Sequence, residues 1–288
     1  MNKQASITCG DGTRITGQWH RARTTPKATV VVAPGAAAEA RFYVPFCEHL
    51  AETGHDALVF DFRTVGESGT DRRRRRECGF STWIEQDYPA VIAHAHDHAR
   101  HGPMIVIGHS AGGWMAGVQP AADRIDALIG VAALSGHWRH MARPHRYAHW
   151  LAWHALVPAS CRMLGMWPGF IGFRRNMGPR FGLEFSRWAR RRDFVFSEPA
   201  FDANAWRFRG HLHLFQISDD PWGTQAAVAD FGARFPNASG CVVETIRNDA
   251  ESPEPIGHFG VFRKSRAHTL WPRLVDAIAA CRDAVREH

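Results

Sequence analysis

The sequence lacks several features that mark specialised proteins. Its six cysteines stand singly, with no CxxC pair, so neither a zinc finger nor a disulfide scaffold is indicated. It has no run of about 18 uninterrupted apolar residues, and its first residues form no apolar stretch of the signal-peptide type. With 45% hydrophobic and 22% charged residues, its composition also excludes a disordered or collagen-like chain. We therefore expect a soluble, cytoplasmic, globular protein with no transmembrane segment.

Lysine is scarce as well, and arginine carries nearly all of the positive charge. The 35 basic and 28 acidic residues give a net charge of +7. The surplus lies between Gly136 and Gly210, a stretch with 13 arginines and four acidic residues. No nucleic-acid-binding motif accompanies this charge, so we expect no nucleic-acid partner. Peripheral contact with an anionic lipid, contact with an acidic substrate and plain solvation remain open for this stretch.

Short apolar runs alternate with helical patterns along most of the chain. A glycine-rich turn signal at residues 10–12 separates Ser6–Thr8 from Ile15–Trp19 and predicts an antiparallel hairpin. Apolar runs predict buried strands at Ala28–Ala33, Ala57–Phe60 and Met104–Ile107, and further strands at Ala127–Ala132, Leu212–Ile217 and Cys241–Ile246. The helical patterns cover Phe42–Thr53, a stretch opening near Thr82–Pro89 and running to Arg100, Ala111–Val118, Gln225–Phe235 and Arg263–Arg282. The predicted class is α/β, with a mostly parallel sheet covered by helices on both faces.

One segment interrupts this alternation. Residues 136–210 contain no comparable strand pattern but hold six of the eleven tryptophans and eight phenylalanines. A structureless loop of that length is improbable in a compact domain. We therefore predict a core built from residues 1–135 and 211–288, with residues 136–210 inserted as a helical cap over the carboxyl edge of the sheet. Its aromatic residues could form a small core of their own, line an apolar pocket, or do both.

The motif with the clearest chemistry is a GxSxG pattern, Gly108-His109-Ser110-Ala111-Gly112. It directly follows a predicted buried strand and precedes a helical stretch, which is the placement of a nucleophile elbow. Small flanking residues permit the tight turn, and the helix N-terminus favours developing negative charge. The pattern predicts that Ser110 is a nucleophile.

A serine hydroxyl needs a general base, because it is a weak nucleophile at neutral pH. With an elbow of this type the acid and then the base follow the serine along the chain. Of the histidines beyond residue 220, His268 falls inside the predicted closing helix and His288 is the last residue. His258 lies in a glycine-flanked loop after the last strand, so we predict it as the base.

The acidic partner is expected directly after the strand Leu212–Ile217, where two aspartates are adjacent. Side chains of neighbouring residues diverge, so at most one of the two can hold the imidazole of His258. We favour Asp220, which stands before Pro-Trp-Gly-Thr, and keep Asp219 as the alternative.

These residues resemble the α/β-hydrolase superfamily over essentially the whole chain. The stretch Asp61–Ser68 is similar to the D-x-R-G-x-G-x-S turn after the fourth strand of that fold, with Thr64 in place of the usual glycine. The combination of further motifs resembles a bacterial branch of uncharacterised α/β-hydrolases; they are Arg41-Phe42-Tyr43, Trp83 with Gln86-Asp87, Ser135-Gly136-His137-Trp138, Ser218-Asp219-Asp220 and Gly257-His258-Phe259-Gly260.

The resemblance implies an oxyanion hole made of backbone N–H groups. One donor is expected from Ala111, the residue after the nucleophile. The second is expected from the loop after the strand VVVA, with Ala36 favoured and Ala37 as the alternative. The resemblance implies no cofactor and no metal.

Other residues have weaker functional interpretations. Gly35, His109, Trp138 and Trp222 are candidate substrate contacts. The five-arginine run Arg72–Arg76 reads as a solvated loop more readily than as an anion site.

Two histidines have the spacing of metal ligands. His94 and His98 are four residues apart on one predicted helix, but they lack a carboxylate or cysteine partner, so we expect a solvent-facing helix side there.

Together the motifs predict a serine hydrolase that works through an acyl-enzyme and cleaves a small carboxylic ester or thioester with an apolar acyl group. An acyltransferase with the same triad, and a non-catalytic binding protein with an idle triad, are the alternatives. The sequence predicts no oligomeric state.

Overall fold

The aliphatic runs form one eight-stranded sheet in the computed structural model, which describes residues 2–69, 72–172, 175–248 and 254–286. Four strands are buried at every residue, as expected for runs covered on both faces. The strands are β1 (Asn2–Thr8), β2 (Arg14–His20), β3 (Thr29–Ala33), β4 (Asp56–Phe60), β5 (Met104–His109), β6 (Ala127–Val131), β7 (His211–Ile217) and β8 (Gly240–Ile246).

The order of strands is β1-β2-β4-β3-β5-β6-β7-β8. The first two form the predicted antiparallel hairpin, with Ile7 opposite Ile15, and β2 also runs antiparallel to β4. All other neighbours are parallel. The mostly parallel sheet and its hairpin are therefore confirmed. The carboxyl ends of β3, β5, β6 and β7 lie at one edge, where the loops that follow them meet.

Helices occupy the connections between strands. The described residues contain α1 (Val44–Glu52), α2 (Arg72–Glu77), α3 (Phe80–Thr82), α4 (Tyr88–Asp97), α5 (Ala111–Ala116), α6 (His145–Leu151), α7 (Val157–Met163), α8 (Pro179–Ala189), α9 (Pro199–Arg207), α10 (Gln225–Gly232) and α11 (Ala267–Arg286). Turns of π-helix at Trp83–Asp87 and Ala152–Leu156 join α3 to α4 and α6 to α7.

One helix prediction is confirmed and another is wrong. The helix predicted to open near Thr82–Pro89 is found: α4 begins at Tyr88 with Pro89 in its first turn, and the helical turns before it begin at Phe80. The arginine run is helical rather than a loop, because it forms α2. Within that run, Arg75 and Arg76 are exposed, whereas the side chains of residues 72–74 lie outside the described part.

Alternate residues of the strands pack into two apolar layers. Val30 and Val32 face α1 and α11, where Phe46 and Trp271 lie. Val31 faces the opposite layer, which includes α4, α5 and α10. The sheet is thus covered on both faces, as predicted.

The described residues of the range 136–210, the cap segment, are mainly helical and share the apolar layer that contains Val31. Phe181 packs against Phe80 and Trp83, with ring centroids 5.0 and 4.6 Å apart, and Trp188 lies edge-on to Trp114 of α5 (6.0 Å). The buried aromatic residues of this segment therefore extend the core instead of forming a separate one. The division of the chain into core and cap stays a prediction.

The six cysteines are all reduced, and five of them are buried; Cys241 on β8 is exposed. Among the described residues, no helix combines the length and hydropathy needed to cross a bilayer.

Candidate active site

Ser110 lies between β5 and α5 in a backbone conformation that few residues adopt. Its φ is 50° and its ψ is −115°, outside the regions favoured by L-residues. Its N–H donates to the Val131 carbonyl of β6 (2.9 Å). The glycines around it are needed for close packing: a Cβ on Gly108 would lie 2.3 Å from the Cα of Gly113, and one on Gly112 would lie 2.3 Å from the Ala33 carbonyl oxygen. The sharp turn presents the hydroxyl at the carboxyl edge of the sheet.

Three predicted residues from distant parts of the chain meet at this hydroxyl. The Oγ of Ser110 is 2.8 Å from Nε2 of His258. The Nδ1 of the same imidazole is 2.6 Å from Oδ2 of Asp220. Since a carboxylate only accepts hydrogen bonds, Nδ1 carries the proton, and Nε2 is left to accept from the serine O–H.

Asp220 is held as a buried carboxylate. It is 4% exposed, and burial by itself raises its pKa. The charge and hydrogen bond of His258, with the backbone N–H groups of Trp222 and Gly223, outweigh burial and hold the pKa of Asp220 below its ordinary value. The site therefore stabilises a positive charge on the imidazole.

The neighbouring carboxylate has a different position. Asp219 accepts hydrogen bonds from the N–H groups of Ile256 (2.7 Å) and Gly257 (2.8 Å), directly before His258. It thus holds the loop that carries the imidazole, whereas Asp220 contacts the imidazole itself. The sequence does not reveal this contact. It shows only that a second aspartate stands beside Asp220, without indicating a role for it.

Behind the serine, a buried hydrogen-bond relay joins the loop after β3 to the backbone of His258. The Gly35 N–H donates to the Tyr43 hydroxyl (3.1 Å), which donates to Nδ1 of His109 (2.6 Å). Nε2 of His109 in turn donates to the carbonyl oxygen of His258 (2.8 Å). The direction follows from the last bond, because a carbonyl oxygen only accepts. Burial, with the charge of His258, lowers the pKa of His109 to about 3, so this ring is neutral.

The relay corrects two of the predicted substrate contacts. His109 is 0% exposed and both of its ring nitrogens have protein partners, so it positions the backbone and does not face a substrate. Gly35 is buried, its N–H is used by Tyr43, and a Cβ there would lie 2.9 Å from Nδ1 of His109. Tyr43 is a functional candidate that sequence reasoning missed; its only signal was its place in the motif Arg41-Phe42-Tyr43.

Two residues are predicted oxyanion donors: Ala111, which follows the serine, and Ala36, in the loop after β3. Gly112 contacts the carbonyl oxygens of Ala33 and Pro34, which brings the loop carrying Ala36 against the start of α5. Within the described residues, the N–H groups of Ala36 and Ala111 have no acceptor. Ala37, the alternative to Ala36, has a positive φ of 60°.

A turn after β4 supports this loop. Asp61 accepts hydrogen bonds from the N–H groups of Ala40 (2.7 Å) and Glu67 (2.9 Å). The buried Arg63 side chain is bonded to Asp87 and Asp11 on its two sides. Thr64, which stands where glycine is usual, has a φ of 70°, so the left-handed conformation is kept without the residue that favours it.

The other two candidate substrate contacts differ in position. The Trp222 ring lies 5.9 Å from the His258 ring and 5.3 Å from that of His149 in α6. Trp138 packs near His137 and His154 and, among the described contacts, touches no member of the serine–histidine–aspartate group.

A cleft of about 340 Å³ opens beside Ala37, the loop residue next to Ala36. Its walls combine apolar side chains, among them Val65, Trp83 and Phe181, with three charged residues. The charged ones are Glu39, Arg75 and Arg175, of which Glu39 and Arg175 form an ion pair. The walls of this cleft are therefore partly charged, and the apolar acyl pocket expected from the sequence stays a prediction.

Within the described ranges, no group of three or more His, Cys, Asp or Glu residues is arranged to hold a metal ion. His94 and His98 stack on one another with ring centroids 4.1 Å apart, and Nε2 of His94 accepts a hydrogen bond from the Trp19 indole (3.3 Å).

Known proteins share this architecture. A model of the S33 serine aminopeptidase family matches residues 24–164, a range that contains Ser110 but ends before Asp220 and His258. An esterase from Pyrococcus furiosus superposes with a TM-score of 0.61 at 20% identity, covering 98% of this chain and 91% of that one. The chain has the α/β-hydrolase fold.

Two further structures show how far this α/β-hydrolase likeness extends. An esterase from Exiguobacterium antarcticum has a TM-score of 0.63 at 15% identity, covering 96% and 99% of the two chains. Est1E from Butyrivibrio proteoclasticus, solved with ferulic acid, has a TM-score of 0.62 at 16% identity, covering 96% and 98%. At such identities the likeness establishes the fold alone. No curated protein matches the sequence.

Proposed function

We propose that this α/β-hydrolase is a serine hydrolase that cleaves carboxylic esters through an acyl-enzyme. The observation that carries the proposal is the hydrogen-bonded chain from Ser110 through His258 to Asp220, with its 2.8 and 2.6 Å bonds, at a strained turn on the edge of the sheet. A chain of nucleophile, base and orienting acid is the arrangement that activates a serine.

Each residue has a defined part in the reaction. Ser110 Oγ attacks the ester carbonyl carbon while Nε2 of His258 takes its proton, and Asp220 stabilises the imidazolium that forms. The N–H groups of Ala36 and Ala111 bind the oxyanion. His258 then gives the proton to the departing alcohol, leaving an acyl group on Ser110. A water molecule, deprotonated by His258, releases the acid and restores the serine.

The esterase names of two structural relatives, from Exiguobacterium antarcticum and Pyrococcus furiosus, support an ester in preference to other acyl compounds. Thioesters have the same reacting carbonyl and remain within the proposal. Because Trp222 lies beside His258, we expect the alcohol or the acyl group of the ester substrate to bind next to it.

Two measurements test the proposal. A fluorophosphonate should label the wild-type protein covalently and leave Ser110→Ala unlabelled, and p-nitrophenyl esters of graded chain length should be hydrolysed only by the wild type. The exposed Ser239 lies outside the site, so Ser239→Ala is the matched control and should behave as wild type. Equal labelling of Ser110→Ala would place the nucleophile elsewhere.

The same measurements separate the alternatives. A protein that is labelled but releases p-nitrophenol only when an acceptor alcohol is present would be an acyltransferase. A folded protein that is never labelled would be a binding protein with an idle triad.

A further inference from the structure

Exposed apolar side chains are concentrated on one stretch of the cap segment. Of the twelve large hydrophobic residues exposed in the described chain, eight lie between residues 147 and 170. Single exposed hydrophobic residues are ordinary on a protein surface, but a cluster marks an interaction site. The eight are Tyr147, Trp150, Leu151, Leu156, Met163, Leu164, Met166 and Phe170.

Five of the eight lie on the outer side of a continuous helical stretch, α6 to α7, and Leu164, Met166 and Phe170 follow its end. Its inner side is buried and apolar, with Trp153, Val157 and Cys161 facing the core. A helix exposed on one side normally carries charged residues there. Between residues 147 and 161 this helix has no Asp, Glu, Lys or Arg, and its exposed positions include three alanines besides the large residues. The helix is therefore largely apolar on its solvent-exposed side as well as on its buried side.

Arginines flank this apolar stretch along the chain. Residues 127–183 contain no Asp or Glu but seven arginines, of which Arg175 and Arg180 are paired with Glu39 and Glu184. Arg143 precedes the helical stretch and Arg162 lies near its end, and both side chains are exposed. Apolar side chains flanked by arginines on a helix lying along the surface are typical of binding to an anionic lipid interface. A second copy of the same surface would bring like charges together and is disfavoured.

The surface is next to the candidate active site. Phe170 and His149 line one cleft with Trp222, whose ring lies 5.9 Å from that of His258. We infer that residues 143–170 form a docking surface for an anionic lipid bilayer, oriented so that this cleft opens at the membrane. Docking itself requires only the surface, whereas delivery of an ester from the lipid to Ser110 rests on the proposed function.

Vesicle co-sedimentation of the full-length protein tests the inference. The protein should bind vesicles of phosphatidylcholine mixed with phosphatidylglycerol, bind pure phosphatidylcholine weakly, and lose binding at high salt because surface charge is screened. Arg143→Ala/Arg162→Ala should weaken binding about 25-fold, since each basic residue near an anionic surface contributes about fivefold. Trp150→Ser/Leu151→Ser should weaken it at least about tenfold through lost apolar contact.

The matched control is Trp206→Ser, because Trp206 is 54% exposed but lies outside the surface. It should bind as wild type. The inference fails if the wild type does not bind anionic vesicles, or if Trp206→Ser weakens binding as much as the Trp150/Leu151 variant. It also fails if the wild type is a dimer in ultracentrifugation and that variant a monomer, which would make the surface a subunit interface. Ser110→Ala should still bind, so failure of the proposed chemistry and failure of docking are separate results.

Discussion

The hydroxyl of Tyr43 donates a 2.6 Å hydrogen bond to Nδ1 of His109, and neither residue is exposed to solvent. The bond fixes the tautomer of a histidine whose other nitrogen holds the carbonyl of His258 (2.8 Å). The base is therefore supported on both sides, by Asp220 at its ring and by His109 at its backbone.

This relay predicts that Tyr43→Phe will lower kcat about tenfold with little change in KM, because a misplaced imidazole affects proton transfer more than binding. Loss of a buried hydrogen bond should also lower the free energy of unfolding by about 1–3 kcal/mol. Tyr88→Phe is the matched control, since Tyr88 is equally buried but donates to the Gly112 carbonyl. Equal kcat losses in the two variants would assign Tyr43 a structural role only.

The two adjacent aspartates should differ sharply in ester hydrolysis. Asp220→Asn should lower kcat by about 10⁴, as the equivalent change does in chymotrypsin-type enzymes, because the amide favours the wrong tautomer. Asp219→Asn leaves one of the two loop N–H groups without its acceptor and should lower kcat only about tenfold. Steady-state kinetics of both variants decide, and a larger loss for Asp219→Asn would reverse the assignment.

Thr64 is the place where a glycine should stabilise the fold. A β-branched residue at φ 70° is strained, and removing this strain should stabilise the folded state by about 1–2 kcal/mol. The greater conformational freedom of glycine in the unfolded chain offsets part of that gain. Thr64→Gly should therefore raise Tm by about 2 °C in differential scanning fluorimetry. Thr64→Ala keeps the Cβ and serves as control; a lower Tm for the glycine variant would contradict the strain.

Stability should fall as the pH drops below 6.5. Burial lowers the pKa of His109 to about 3 and, with the charge of Lys27, that of His55 to about 4. The unfolded chain takes up these two protons near pH 6.5 and the folded protein does not, so acid favours unfolding by up to about 2.7 kcal/mol per pH unit. Burial raises the pKa of Asp87 to about 6, and this carboxyl acts in the opposite direction between about pH 4 and 6.

Urea unfolding at pH 7.5 and 5.5 measures this effect. His55→Gln should show a smaller difference between the two pH values than the wild type. A free energy of unfolding that is equal at both pH values would contradict the prediction.

Much of the fold could be predicted because its signals are local. Runs such as Val30–Val32 are apolar on every residue, which identifies strands covered on both faces, and Ser110 stands between such a strand and a helix. The helix ends were harder. In the helix that begins at Phe80, a free N–H of the first turn finds its hydrogen-bond acceptor in Glu184: the Ser81 N–H donates to Oε2 (3.0 Å). The two residues lie 103 positions apart in the sequence. No local pattern contains that partner.

The same limit applies to the site. Loop position was enough to predict that His258 lies beside Ser110, but the contact between Tyr43 and His109 joins residues 66 positions apart. The position of His109 between Gly108 and Ser110 gave no sign that its ring would be fully buried.

The exposure of Cys241, in contrast to the other five cysteines, allows unfolding to be followed by thiol labelling. Cys241 is the exposed one of six free cysteines, so a thiol reagent added to the native protein should consume one equivalent. Neighbouring groups still bury part of the thiol, which raises its pKa, so the reaction needs alkaline buffer. The other five equivalents should appear only as the apolar layers open, which lets a simple colorimetric titration follow every variant described above.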